Sequence, residues 1–89
     1  MLNPFYTSQF KRDYTLQIKR HKNLERIDHV LRSLISGEPL PASNRDHPLQ
    51  GQYKGYRECH IQPDWLLIYK TEGNNIYFVR TGTHSDLFK

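Results

Sequence analysis

The chain has 89 residues and a mass of 10.6 kDa, enough for one small hydrophobic core but not for two. We therefore expect a single domain over residues 1–89. The one cysteine, Cys59, excludes an internal disulfide and a cysteine-rich zinc module, and no apolar run has the length of a bilayer-spanning helix. The first residues do not have the pattern of a signal peptide, so we expect a cytoplasmic protein with no membrane partner.

The net charge of +4 is concentrated in the first 36 residues. Seven Lys or Arg outnumber three Asp or Glu there, whereas the remainder of the chain is neutral. A basic surface favours a polyanionic partner, most often a nucleic acid. An ordinary solvated helix surface accounts for the same charge equally well.

The N-terminal half predicts a short strand followed by two helices. Residues 2–6 suit a strand that Pro4 confines to a sheet edge. Thr7 or Ser8 can cap a helix that runs toward residue 21. Its apolar face would consist of Phe10, Tyr14 and Ile18. Asn23 can cap a second helix, which Gly37 ends. Its apolar positions follow helical spacing and are Leu24, Ile27, Val30, Leu31, Leu34 and Ile35.

The C-terminal half predicts an antiparallel sheet. After a proline-rich loop at 38–46, residues 56–62, 65–71 and 75–82 are rich in aromatic and β-branched residues, and the two connections between them are tight. Helices followed by hairpin-linked strands indicate an α+β fold, with two N-terminal helices packed on one face of a twisted, mainly antiparallel sheet. The opposite face would then be available for a ligand.

Strict alternation along the strands sorts the candidate functional residues. Glu58 and His60 share one face of their strand, and Cys59 points to the other face as a core residue. In the last strand Arg80 falls on the same face as Ile76 and Phe78.

Acid–base chemistry is the chemistry that these polar residues suit. Histidine exchanges protons near neutral pH, and a neighbouring carboxylate can fix its tautomer. The candidate groups are the histidines His47, His60 and His84 and the carboxylates nearest to them in sequence, which are Asp46, Glu58, Asp64 and Asp86. A surface or structural role is the alternative for any single histidine. A zinc site would need a spacing such as HxH, HExxH or CxxC, which is missing, and Cys59 points away from Glu58 and His60.

Metal-free cleavage of RNA fits these residue types, because the ribose 2′-OH supplies the nucleophile within the substrate. The protein then supplies a base, an acid and positive charge for the phosphorane. Lys54, Arg57 and Arg80 are candidates for binding phosphate, and Phe88 is a candidate for stacking on a base.

Three linked motifs make the chain resemble the YafQ branch of the RelE/ParE toxin superfamily. They are DHPLQG from Asp46, KGYRECH from Lys54 continuing to PDWLLIYK, and RTGTHSDLF from Arg80. The resemblance covers nearly the whole chain and implies two helices packed on a mainly antiparallel sheet. It also implies the toxin of a type II toxin–antitoxin pair that cuts mRNA on the ribosome without metal or cofactor.

The resemblance assigns roles to residues by motif position. His47, His60, Asp64 and His84 would share proton transfer and phosphate stabilisation, and Phe88 would position a base. Glu58 replaces the Asp of the family pattern and keeps the carboxylate. Arg80 would stabilise charge near His84 at the rim of the sheet.

The resemblance implies partners as well. They are a cognate antitoxin, mRNA with ribosomal RNA, and operator DNA contacted mainly through the antitoxin. The alternative function is that of a ParE-like, non-catalytic inhibitor of DNA gyrase, against which three motif histidines argue. A role only as part of a DNA-bound repressor is a third possibility.

Overall fold

The computed structural model describes residues 1–88, which form a five-stranded sheet and three α-helices. In chain order these are β1 (Asn3–Tyr6), α1 (Ser8–Lys19), α2 (Leu24–Ser36), β2 (His47–Pro48), β3 (Arg57–Gln62), β4 (Trp65–Glu72), β5 (Asn75–Gly82) and α3 (His84–Leu87). The strand order is β1-β5-β4-β3-β2, and every neighbouring pair is antiparallel except β1 and β5. The predicted α+β class is confirmed.

The two long helices begin and end where the sequence predicts. The Thr7 side chain accepts a hydrogen bond from the backbone N–H of Phe10 at the start of α1, and Asn23 caps α2 in the same way. At the end of α2, Gly37 adopts the left-handed conformation, with φ of 80°. None of the three α-helices of residues 1–88 combines the length and hydropathy that a bilayer crossing requires.

The buried face of α1 differs from the prediction. Its buried residues are Phe10, Asp13 and Gln17, whereas Ile18 is 48% exposed. Asp13 can be buried because Arg80 and the backbone N–H of Thr81 on β5 both donate to its carboxylate. Helical periodicity of apolar residues cannot reveal such a polar contact.

The sheet has one face covered by α1 and α2 and an opposite face that is only partly open. The helix-side core combines Phe10 and the apolar face of α2 with alternate residues of β3, β4 and β5, including Cys59, as predicted. On the opposite face, Leu66 and Ile68 are buried beneath Leu87 of α3 and the segment 49–56. The opposite face is therefore accessible only in part, where β2, β3 and α3 meet.

A bulge in β5 corrects the predicted orientation of Arg80. Ile68 of β4 pairs with Arg80, and the next residue, Tyr69, pairs with Phe78, so Val79 is the extra residue. Cross-strand partners leave a sheet on the same side, so Arg80 leaves β5 on the side of Ile68, while its guanidinium still reaches Asp13 of α1. Strict alternation had placed it with Ile76 and Phe78.

Candidate active site

Strand pairing brings the three predicted histidines together. Antiparallel pairing of β2 with β3 sets His47 opposite Glu58, and His60 follows two residues later on the same face of β3. His84 begins α3, directly after β5. The ring centroids of His47 and His60 are 6.3 Å apart, and those of His60 and His84 are 6.0 Å apart. The three imidazoles therefore form a continuous row.

Glu58 is the buried carboxylate of this row. It is 4% exposed, and its Oε1 atom lies 3.5 Å from Nε2 of both His47 and His60. The other ring nitrogen, Nδ1, lies 2.6 Å from the Arg45 carbonyl in His47 and 3.3 Å from the Pro63 carbonyl in His60. A carbonyl only accepts, so Nδ1 carries hydrogen in each ring. Each Nε2 then faces Glu58 and forms an ion pair with it when the ring is protonated.

His84 has a different environment. Its Nδ1 and its backbone N–H both donate to Oδ1 of Asp64, each at 3.0 Å. Both hydrogen bonds hold the pKa of Asp64 below its ordinary value, the backbone bond contributing most. Because Asp64 takes the Nδ1 hydrogen, the free nitrogen of neutral His84 is Nε2, on a side chain that is 58% exposed. This arrangement suits a base that contacts solvent or substrate.

The short helix α3 is held by its own cap and by α1. Thr83 and Asp86 form a capping box, in which each side chain accepts from the other's backbone N–H. Asp86 also receives two hydrogen bonds from Arg20, at 2.6 and 3.1 Å. The Arg20 guanidinium is the main reason that the pKa of Asp86 is well below its usual range. These contacts fix the turn that carries His84.

An aromatic row continues from the histidines. The Phe88 ring is 6.2 Å from His84 and 5.9 Å from Tyr53, which in turn is 6.0 Å from Tyr56. Phe88 is 44% exposed, so its face is accessible to a base. Tyr53 and Tyr56 lie outside any regular periodicity, so no sequence pattern identifies them, and only the fold of segment 49–56 brings them to Phe88.

The three predicted phosphate-binding cations lie in different environments. Lys54 is exposed and follows the turn at 51–53. Arg57 points toward the helix side of β3 and donates to Asp46 at 2.9 Å, so the structure does not bring it to the histidine row. Arg80 donates to Asp13 through Nε at 2.7 Å, and this hydrogen bond is the main reason that the pKa of Arg80 is raised. Its charge is thus already paired.

Cys59 is a core residue of the sheet's helix side, as predicted. Burial raises the pKa of the Cys59 thiol to about 12, and the residue is fully buried. Within residues 1–88, no group of three or more His, Cys, Asp or Glu side chains is arranged to hold a metal ion.

Comparison with known proteins gives matches over almost the full chain. The mRNA interferase toxin YafQ of Escherichia coli strain K12 is 48% identical over 84 residues, which cover 93% of this chain and 91% of that protein. The crystal structure of YafQ from E. coli strain BL21(DE3) superposes with a TM-score of 0.95 and 43% identity. The YafQ chain of the E. coli DinJ–YafQ complex gives 0.93 and 44%. Both structural matches cover 100% of both chains.

A family model described as the bacterial toxin of a type II toxin–antitoxin system, YafQ, matches residues 2–89. The motifs from Asp46 onward predict the same family. The chain belongs to the YafQ family of type II toxin–antitoxin toxins.

Proposed function

We propose that the protein is a metal-independent endoribonuclease that cleaves mRNA on the ribosome. The observation that carries this proposal is the row of three imidazoles with its two carboxylates, at the accessible part of one sheet face. The E. coli relative is named an mRNA interferase, which supports the same activity.

The different environments of the three histidines favour a different role in RNA cleavage for His84 than for His47 and His60. His84 would take the proton of the ribose 2′-OH through Nε2, because Asp64 already holds the hydrogen on Nδ1. His47 and His60 would supply a proton to the leaving 5′-oxygen and positive charge to the phosphorane, with Glu58 as their shared counter-ion. Phe88 would stack on a base beside the cut.

Lys54 is the exposed cation that would contact a phosphate near the aromatic row. Arg80 would stabilise developing charge less directly, because Asp13 already balances its own charge. Arg57 would contribute only if its pair with Asp46 opens when RNA binds.

The partners would follow from the same family role. The DinJ–YafQ structure is a toxin–antitoxin complex, so a cognate antitoxin is the expected partner here. The basic N-terminal half offers a surface for that antitoxin or for ribosomal RNA. Operator DNA would be contacted mainly through the antitoxin, and the toxin would act in the cytoplasm.

The test is primer extension on a translated message after induction of the wild type, His84→Ala and His29→Ala. His29 is an exposed histidine of α2 outside the row and is the matched control. We expect in-frame cuts with the wild type and the control and none with His84→Ala. Products should end in a 2′,3′-cyclic or 3′-phosphate and a 5′-OH, the ends that attack by the ribose 2′-OH produces. Growth arrest without cuts in any message would refute the nuclease and point to the gyrase inhibitor.

A further inference from the structure

A polar groove runs along the edge of β3, next to the histidine row. Strand β2 covers only Arg57 and Glu58 of β3, so the edge of β3 beyond them has no strand beside it. A groove of about 530 Å³ lies there, between the N-terminal part of α2 and the segment 43–45. His60 and Pro63 line it as well, and His60 is therefore shared by the groove and the catalytic row.

The groove carries positive charge that no carboxylate balances. Arg26 and Arg45 both line it, both are exposed, and neither forms a salt bridge within residues 1–88. No Asp or Glu is among the lining residues. By contrast, Arg20, Arg57 and Arg80 are each paired with an aspartate. Two exposed guanidinium groups that line the same polar groove provide the fork of N–H donors with which arginine binds phosphate.

The segment that carries Arg45 is fixed by the same contacts that orient the catalytic row. The side chain of Asn44 donates to the backbone carbonyl of His60 at 2.8 Å. Arg45 itself is left-handed, with φ of 49°, and its carbonyl accepts from Nδ1 of His47. The position of Arg45 is therefore tied to that of both histidines, and an RNA strand leaving the row past His60 would enter the groove.

We propose that this groove binds the sugar–phosphate backbone of the RNA next to the scissile phosphate, with Arg26 and Arg45 on either side of it. The proposal rests on the proposed nuclease function and adds a second RNA-binding subsite to it. Neither arginine touches the reacting atoms, so both act on substrate affinity and not on the chemical step.

The first test measures binding of a labelled single-stranded RNA to the inactive His84→Ala protein over a range of salt concentrations. Each phosphate contact on a single strand contributes about 0.7 to the slope of log affinity against log salt. The double variant Arg26→Gln/Arg45→Gln should lower that slope by about 1.4. The control Lys70→Gln, a lysine of β4 that lies outside both the groove and the basic N-terminal half, should leave it unchanged.

The second test measures single-turnover cleavage on programmed ribosomes with His84 intact. The double variant should raise the half-saturating toxin concentration on the order of tenfold and keep the wild-type maximal rate. The subsite would be overturned if the double variant and the control had the same slope of log affinity against log salt and the same half-saturating toxin concentration. Weaker antitoxin binding with unchanged RNA binding would also overturn it, because the groove would then be an antitoxin contact. If the wild type cleaves no RNA, the nuclease function is refuted. The RNA-binding subsite is then still decided by the salt dependence of RNA binding in the first test.

Discussion

Replacing Asp13 with Asn should destabilise the fold far more than an ordinary surface charge does. The Asp13 carboxylate accepts hydrogen bonds from Gln9 at 3.0 Å, from Arg80 at 2.7 and 3.2 Å and from the Thr81 N–H at 3.2 Å. Breaking a fully buried ion pair costs about 3–5 kcal/mol. The Arg80 side chain is 23% exposed and can regain some hydration, so we expect a loss of about 2–4 kcal/mol in unfolding free energy.

The assay is urea unfolding followed by fluorescence of Trp65, the only tryptophan, which is fully buried. The wild-type reference and both variants would carry His84→Ala so that cells tolerate the proteins. The control is Glu25→Gln on the exposed side of α2, which should change stability by less than about 0.5 kcal/mol. A loss below about 1 kcal/mol for Asp13→Asn, with an unchanged m value, would refute the argument that Asp13 joins α1 to β5.

Three further outcomes follow from other buried or paired groups. Thr81→Val should cost about 1–3 kcal/mol, measured by thermal unfolding, because the Trp65 indole N–H donates to the Thr81 hydroxyl at 3.0 Å and would lose its buried partner. The pKa of Asp86 is lowered in the folded state. The ion pair of Asp86 with Arg20 therefore stabilises the fold fully above pH ~4, and this stabilisation is lost as the pH falls through the folded pKa of Asp86. The stability difference between wild type and Arg20→Ala should therefore be present at pH 7 and shrink in strong acid; a constant difference would contradict it. Cys59, with its pKa raised to about 12, should resist iodoacetamide at pH 8 until urea unfolds the chain, and rapid labelling of the native protein would show that it is not buried.

The elements that the sequence predicts correctly are those whose stability is local. In α2 the apolar residues follow helical spacing, and Asn23 and Gly37 form the caps within a few residues of chain. The strands β3, β4 and β5 are joined by two-residue turns whose residue types favour a turn. In contrast, β2 has only two residues, one of them Pro48, and exists because β3 lies beside it. No local pattern predicts such a strand.

The sequence names the residues of the candidate site but does not show how they are arranged in space. Motif resemblance identified His47, His60 and His84, yet their spacing in sequence does not show that they meet, since the meeting depends on the pairing of β2 with β3 and on α3. The orientation of Arg80 was missed because a bulge at Val79 interrupts alternation. The roles of Asp13 and Tyr53 were missed because both act through contacts distant in sequence.

The parallel pairing of β1 with β5 affects the order in which the molecule folds. Asn3 pairs with Asn75, 72 positions later, so the first strand of a chain under synthesis waits for the last before it has a partner. The two long helices can form early from local contacts, whereas strand pairing over such a distance carries a high entropic cost and slows folding. Because Arg80 and His84 lie on or after β5, the histidine row is assembled only when the sheet closes, and a nascent chain carries helices long before it carries the three histidines together.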